Sequence, residues 1–150
     1  MPYEYPKEIH FIDTSVLASI IKSDAEEALA EKYLSRVRNG VYKVFISELV
    51  LGELLFMIHR DLRDFNKRYD AISKLLIFQG TCSIFVPKLE DYLDVLANLR
   101  NMEPRCSSTD VRIISESIIS GAQKLITLDT KYNTEDMKGQ IEVVNLRNLF

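Results

Sequence analysis

Apolar positions in this chain fall into short runs separated by stretches with helical spacing. Ile9, His10, Phe11 and Ile12 form a partly β-branched run that predicts a buried strand, stopped by Asp13. The apolar-rich VLASII follows at once, so the strand turns directly into a helix over about Ser15–Lys22. Ser23 or Asp24 is placed to cap a second helix, with Ala28, Leu29, Tyr33, Leu34 and Val37 at helical spacing, and Asn39–Gly40 stops it. Val41–Ile46 predicts a second strand. Ser47 caps a helix reading ELVLGELLFMIHRDLRDF, whose first turns are almost wholly apolar and so expected to be buried on most sides. Arg60–Lys74 continues as a mixed-charge, solvated helix face, extended by Leu75–Phe78 and ended by Gln79–Gly80. Cys82–Val86 predicts a third strand, Leu89–Leu99 an amphipathic helix, and Asn101–Arg105 a loop. Ser107–Gly121 predicts a helix with Ser107 and Asp110 at capping-box spacing and Ile113, Ile114, Ser117 and Ile118 facing inward. Lys124–Thr127 and Ile141–Asn145 predict the last two strands. Alternation of this kind argues for a parallel sheet between helix layers.

Composition narrows the picture. At 150 residues the chain is expected to form one domain, 1–150, with residues 1–7 as an exposed lead-in. The net charge of −3 provides no global basic field for nucleic acid, although a local patch can still supply one. Cys82 and Cys106 have no CxxC spacing and read as reduced thiols. There is no apolar signal core at the start and no run long enough to span a bilayer, so the expectation is a cytoplasmic protein with no membrane partner.

Four acids stand out by position. Asp13 ends the first strand, Glu53 lies on the helix leaving the second, Asp110 opens a helix, and Asp129 follows the fourth strand. Each has a plain alternative: a helix cap, a thin surface stripe, a capping box, a turn. Glu53 sits in an apolar run, where a charge is costly unless paired, protonated or bound to a cation; Gly52 beside it suggests a close approach to the helix. In a parallel sheet, strand ends and the starts of following helices share one edge. Four carboxylates converging there repel, and a divalent cation, Mg²⁺ or Mn²⁺, relieves that repulsion. Such an ion can activate water and stabilise displacement at a phosphodiester.

In order, FIDTSVL, ISELVLGELL and STDVRIISESIISGAQKLITLD resemble the acidic blocks of the PIN-domain family, the ribonuclease fold that includes toxins of toxin–antitoxin pairs. The resemblance implies a three-layer α/β/α sandwich with a central, mainly parallel five-stranded sheet. It also implies Mg²⁺- or Mn²⁺-dependent endonucleolytic cleavage of RNA, with Asp13, Glu53, Asp110 and Asp129 as catalytic metal ligands. Ser15 and Thr127 match polar positions beside the acids. Arg60, Arg63, Lys67, Arg105 and Arg112 are the candidate contacts to RNA phosphates. A small DNA-binding antitoxin is an expected partner, and a homodimer is expected through apolar surplus on helices Asp24–Arg38 and Arg60–Phe78. The alternatives are a PIN-fold RNA-processing factor or a catalytically silent interaction subunit.

Other α/β sites match less well. A metal-dependent adhesion module needs a serine where Leu17 stands. A dehalogenase-like phosphatase needs an Asp at Ser15. A receiver domain needs its acid after the third strand, where Val86–Pro87 lies.

Overall fold

The five β-rich runs pair into one sheet. A computed structural model describes residues 7–98, 108–130, 132 and 140–150 of the chain. In order the elements are β1 (Glu8–Ile12), α1 (Thr14–Lys22), α2 (Glu27–Arg38), β2 (Tyr42–Ser47), α3 (Glu48–Asp61), α4 (Phe65–Thr81), β3 (Ser83–Phe85), α5 (Leu89–Asn98), α6 (Ser108–Ile119), β4 (Lys124–Thr127) and β5 (Glu142–Asn145), then a 3₁₀ turn at Leu146–Asn148. All four pairings are parallel, in the order β3-β2-β1-β4-β5. The chain steps outward from β1 to β3 and then returns across the sheet to β4. With right-handed crossovers this puts α1–α4 on one face and α5–α6 on the other. The packing agrees: α1 lies against α2 and α3, α3 against α4, and α5 against α6. The central strands are covered on both faces, with Phe11, Ile12, Ile46, Leu125 and Ile126 fully buried, as a two-sided parallel sheet requires.

Register positions the carboxyl edge. Phe11 lies opposite Phe45, Ile12 opposite Ile126, and Thr127 opposite Asn145. Asp13, Ser47, Thr127 and Asn145 therefore come to one level across four neighbouring strands.

Several local expectations change. Ser23 does not start the second helix; it ends α1 in a left-handed conformation (φ 52°), its N–H bonded back to Ile20. The long helix breaks after Asp61, and Asp64 caps α4 by accepting from the N–H groups of Asn66 and Lys67. The first turns of α3 are not buried on most sides, because Leu55 and Phe56 are exposed. Gly52 is not explained by a close approach either, since a Cβ there would meet nothing within 4 Å. α2 buries its apolar residues Ala30, Tyr33, Leu34 and Val37. The apolar surplus lies instead on α4, at Phe65, Tyr69, Ile72, Leu76 and Ile77. Of the expected lead-in, Lys7 is exposed and residues 1–6 lie outside the described residues, as do the Asn101–Arg105 loop, Cys106 and Ser107. No described helix is long and apolar enough to cross a membrane.

The sheet's opposite edge carries a buried polar group. The His10 ring is fully buried, stacks on Tyr42, and accepts the Tyr33 hydroxyl proton at Nδ1 (2.6 Å). Its Nε2 donates to Glu8 (2.6 Å), which also pairs with Lys124 (2.9 Å). Burial holds the His10 pKa below its ordinary value, although Glu8 pulls the other way. Unfolded His10 takes a proton near pH 6.5 whereas the folded ring resists it. Stability from this residue is thus full above that pH and declines as the pH falls below it. Thermal melts from pH 7.5 downward should show this decline, and His10→Gln, which never charges, should lack that component. Parallel profiles for the two proteins would contradict the assignment.

Candidate active site

Asp13 occupies the N-cap position of α1 but its side chain makes no capping bond. The carboxylate is instead surrounded by hydroxyls. Ser15 Oγ and Thr127 Oγ1 both donate to Oδ2 at 2.9 Å, and the Tyr132 hydroxyl donates to Oδ1 at 3.2 Å. A hydroxyl has one proton to give. Ser15 and Thr127 direct theirs to Asp13 and then accept backbone protons, from Leu128 N–H (2.9 Å) and Asp129 N–H (3.0 Å) respectively. This relay fastens the exit of β4 to the exit of β1, reinforced by Asp13 N–H to the Ile126 carbonyl (2.9 Å).

The other acids reach this edge from separate elements. Asp110, buried in the first turn of α6, lies 3.4 Å from the same Tyr132 hydroxyl that serves Asp13. Glu53, one and a half turns into α3, accepts from Thr14 Oγ1 at 2.9 Å, and Thr14 is the residue after Asp13. Asp129 follows Thr127 and lines a cleft of about 410 Å³ with Tyr132, Asn145 and Arg147. Arg147 braces this wall, bonding the Leu128 carbonyl (3.2 Å) and Glu26 (2.9 Å). Asp13 and Asp110 thus meet directly at one hydroxyl, while Glu53 and Asp129 are tied in through neighbours. Among the described residues, no three acidic, His or Cys side chains stand at the spacing of a shared ion.

The donor chemistry nonetheless fits a hard divalent cation. Asp13 is buried, yet its side-chain partners among the described residues are hydroxyls, none of which carries positive charge. Three neutral donors leave its charge uncompensated, and the carboxylate and hydroxyl oxygens around it suit Mg²⁺ or Mn²⁺.

The candidate RNA-contact cations divide. Lys67 lines a cleft with Lys22 and Ser23 at the far end of α1, about 13 Å along that helix from Thr14. Arg60, at the end of α3, is held by Asp61 through two bonds (2.7 and 3.0 Å), and Arg63 follows it. These three are thus at the opposite end from the acids, because α1 and α3 both run away from the carboxyl edge. Arg112 is on α6, two residues past Asp110, and Arg105 lies outside the described residues.

The sequence profile of the PIN domain family matches residues 10–135, spanning every one of these acids. The chain belongs to the PIN domain family. No curated protein matches it. Among solved structures, this PIN domain is similar to VapBC2 from Rickettsia felis bound to a promoter DNA fragment (19% identity, 91% of this chain and 98% of that chain, TM-score 0.69). It is also similar to FitAcB from Neisseria gonorrhoeae (17% identity, 93% and 99%, TM-score 0.66). A third is Mycobacterium tuberculosis VapC20, a toxin that cleaves the sarcin–ricin loop (20% identity, 81% and 90%, TM-score 0.61).

Three residues of this PIN domain's edge were not singled out from sequence. Thr14 carries no signal beyond its place after Asp13. Tyr132 stands in the polar stretch three residues after Asp129, which is a usable signal. Glu116 gave none: an acid within ISESII reads as a surface stripe, yet it is fully buried.

Proposed function

We propose that the carboxyl edge of this PIN domain binds Mg²⁺ or Mn²⁺ through Asp13, Glu53, Asp110 and Asp129 and hydrolyses phosphodiester bonds in single-stranded or looped RNA. The observation that carries this reading is the meeting of Asp13 and Asp110 at the Tyr132 hydroxyl. Two buried carboxylates from distant segments share one neutral donor there. When bound, the ion would supply Lewis-acid activation of water and offset charge on the phosphodiester oxygens. The chain's own residues prepare that edge. Ser15 and Thr127 fix the direction of the Asp13 carboxylate, and Thr14 fixes Glu53. Tyr132 places one hydroxyl, with its single proton, between Asp13 and Asp110. Unpaired RNA is the favoured substrate because its backbone can bend toward a recessed edge, while duplex geometry is constrained. The sarcin–ricin loop cut by one structural relative is in keeping with this.

The test is incubation of structured RNAs with the purified chain in Mn²⁺ or in EDTA. Cuts confined to looped or single-stranded positions, and only with the ion, are expected. Absence of cleavage on every RNA would favour a silent interaction subunit.

The same reading makes the chain the toxin of a two-component pair, with a small DNA-binding antitoxin as its partner. The VapBC and FitAB assemblies among the structural relatives support this. A small DNA-binding protein encoded beside this chain is expected, and its absence would favour an RNA-processing role. A homodimer belongs to the proposal too, because Leu55, Phe56, Phe65, Tyr69 and Leu93 leave apolar area on α3, α4 and α5. Sedimentation at tens of micromolar should give twice the 17.3 kDa chain mass, and monomer alone would count against it.

A further inference from the structure

Glu116 has no place in the four-acid set, yet it is fully buried on α6. A buried carboxylate is costly unless paired, and a leucine would fill the space without that cost. Its Oε2 accepts the Ser47 hydroxyl at 2.5 Å, and its Oε1 has no hydrogen-bond partner among the described residues. Ser47 is itself the N-cap of α3. On the same oxygen, Arg112 Nε approaches to 3.8 Å, one turn earlier on the helix. Tyr92, from α5, lines the same groove as Arg112. Arg112 thus forms an ion pair with a buried acid while its own side chain remains 44% exposed.

Arginine has five donors in a rigid fork. Nε is the atom on the Glu116 side, so the two terminal nitrogens are the ones that would make the paired bonds a phosphate accepts. Arg112 is the one basic residue of α6 and lies two residues from Asp110. It also opens on a groove of about 540 Å³ between α5 and α6, lined by Leu89, Tyr92, Leu96, Val111, Arg112 and Ser115. An apolar floor beside an aromatic ring and an arginine suits an unstacked base with its phosphate.

We propose that Arg112 is a nucleotide-binding subsite for the RNA strand entering the acidic edge, and that Glu116 is its positioning residue. This rests on the reading of RNA as substrate.

The experiment measures binding of a labelled single-stranded RNA oligonucleotide by anisotropy in EDTA, from about 50 to about 200 mM salt. Wild type is compared with Arg112→Gln, Arg112→Lys and Glu116→Gln, with melting curves to verify the fold. Arg112→Gln should weaken binding several-fold and reduce the salt slope by about 0.7, the value for one single-strand phosphate contact. Arg112→Lys should restore the slope but only part of the affinity. Glu116→Gln keeps an acceptor for Ser47 and removes a negative charge. A charge that merely repelled RNA would give tighter binding when removed, whereas a positioning residue gives weaker binding. An unchanged slope in Arg112→Gln, or tighter binding by Glu116→Gln, overturns the proposal. If wild type cleaves RNA in Mn²⁺ while Arg112→Gln binds as wild type does, this subsite alone falls. If wild type neither cleaves nor binds RNA, the substrate reading falls and the subsite with it.

Discussion

Asp13→Asn is expected to lower Mn²⁺-dependent RNA cleavage by more than about 100-fold while leaving the fold intact. Removing a group that only orients a metal ligand costs about 10–100-fold in metal affinity. Asp13 is placed as a ligand itself, at the end of the central strand β1, so its loss should exceed that range. Asn preserves the shape, and its carbonyl oxygen can still accept the Ser15 and Thr127 hydroxyls that now meet Oδ2. Its amide can face the Tyr132 hydroxyl oxygen, so the hydrogen-bonded frame survives and only the charge is lost. Rates on a looped RNA, with wild type and variant purified in parallel, provide the measurement. Equal rates would assign the cleavage to another site or to a contaminating nuclease. Asp129→Asn should behave similarly: its N–H keeps the bond to the Thr127 hydroxyl, and only the side-chain charge proposed to hold the ion is lost.

The second large effect is on stability. An ion that binds the folded chain alone stabilises it by mass action, about 2.7 kcal/mol at 100 times its dissociation constant. For a chain of 150 residues this corresponds to a rise in melting temperature of roughly 5–10 °C. Buried Asp13, whose side-chain partners among the described residues are hydroxyls, is where the relief of charge should be greatest. Differential scanning calorimetry with increasing Mn²⁺ should show a concentration-dependent rise in wild type and little in Asp13→Asn. An equal rise in both would place the ion elsewhere.

The alternation of runs was enough to reveal the parallel sheet, because the strands are short apolar runs and all but β3 close on or just before a polar residue. Asp13 was visible for the same reason, and its neighbours Ser15 and Thr127 lay beside acids in the DTS and TLD segments. The break between α3 and α4 was hidden by Leu62 and Phe65, which continue the apolar spacing across it; the signal was Asp64, whose side chain takes two N–H groups at the start of α4. The over-reading of α3 as buried had a related cause. Its apolar positions go round the helix, and periodicity alone does not say that Leu55 and Phe56 remain uncovered. Tyr132 and Glu116 depend on contacts between segments remote in sequence, Tyr132 with Asp13 and Glu116 with Ser47. No local pattern encodes those meetings. They follow from the return of the chain from β3 across the sheet to β4, which brings α6 over the carboxyl edge.

The most direct test of the account is the position of the ion itself. Crystals grown with Mn²⁺ should give an anomalous-scattering peak at the carboxyl edge, within direct coordination distance of both Asp13 and Asp110 and adjacent to the Tyr132 hydroxyl. A peak confined to other acids, or none at saturating Mn²⁺, would contradict it.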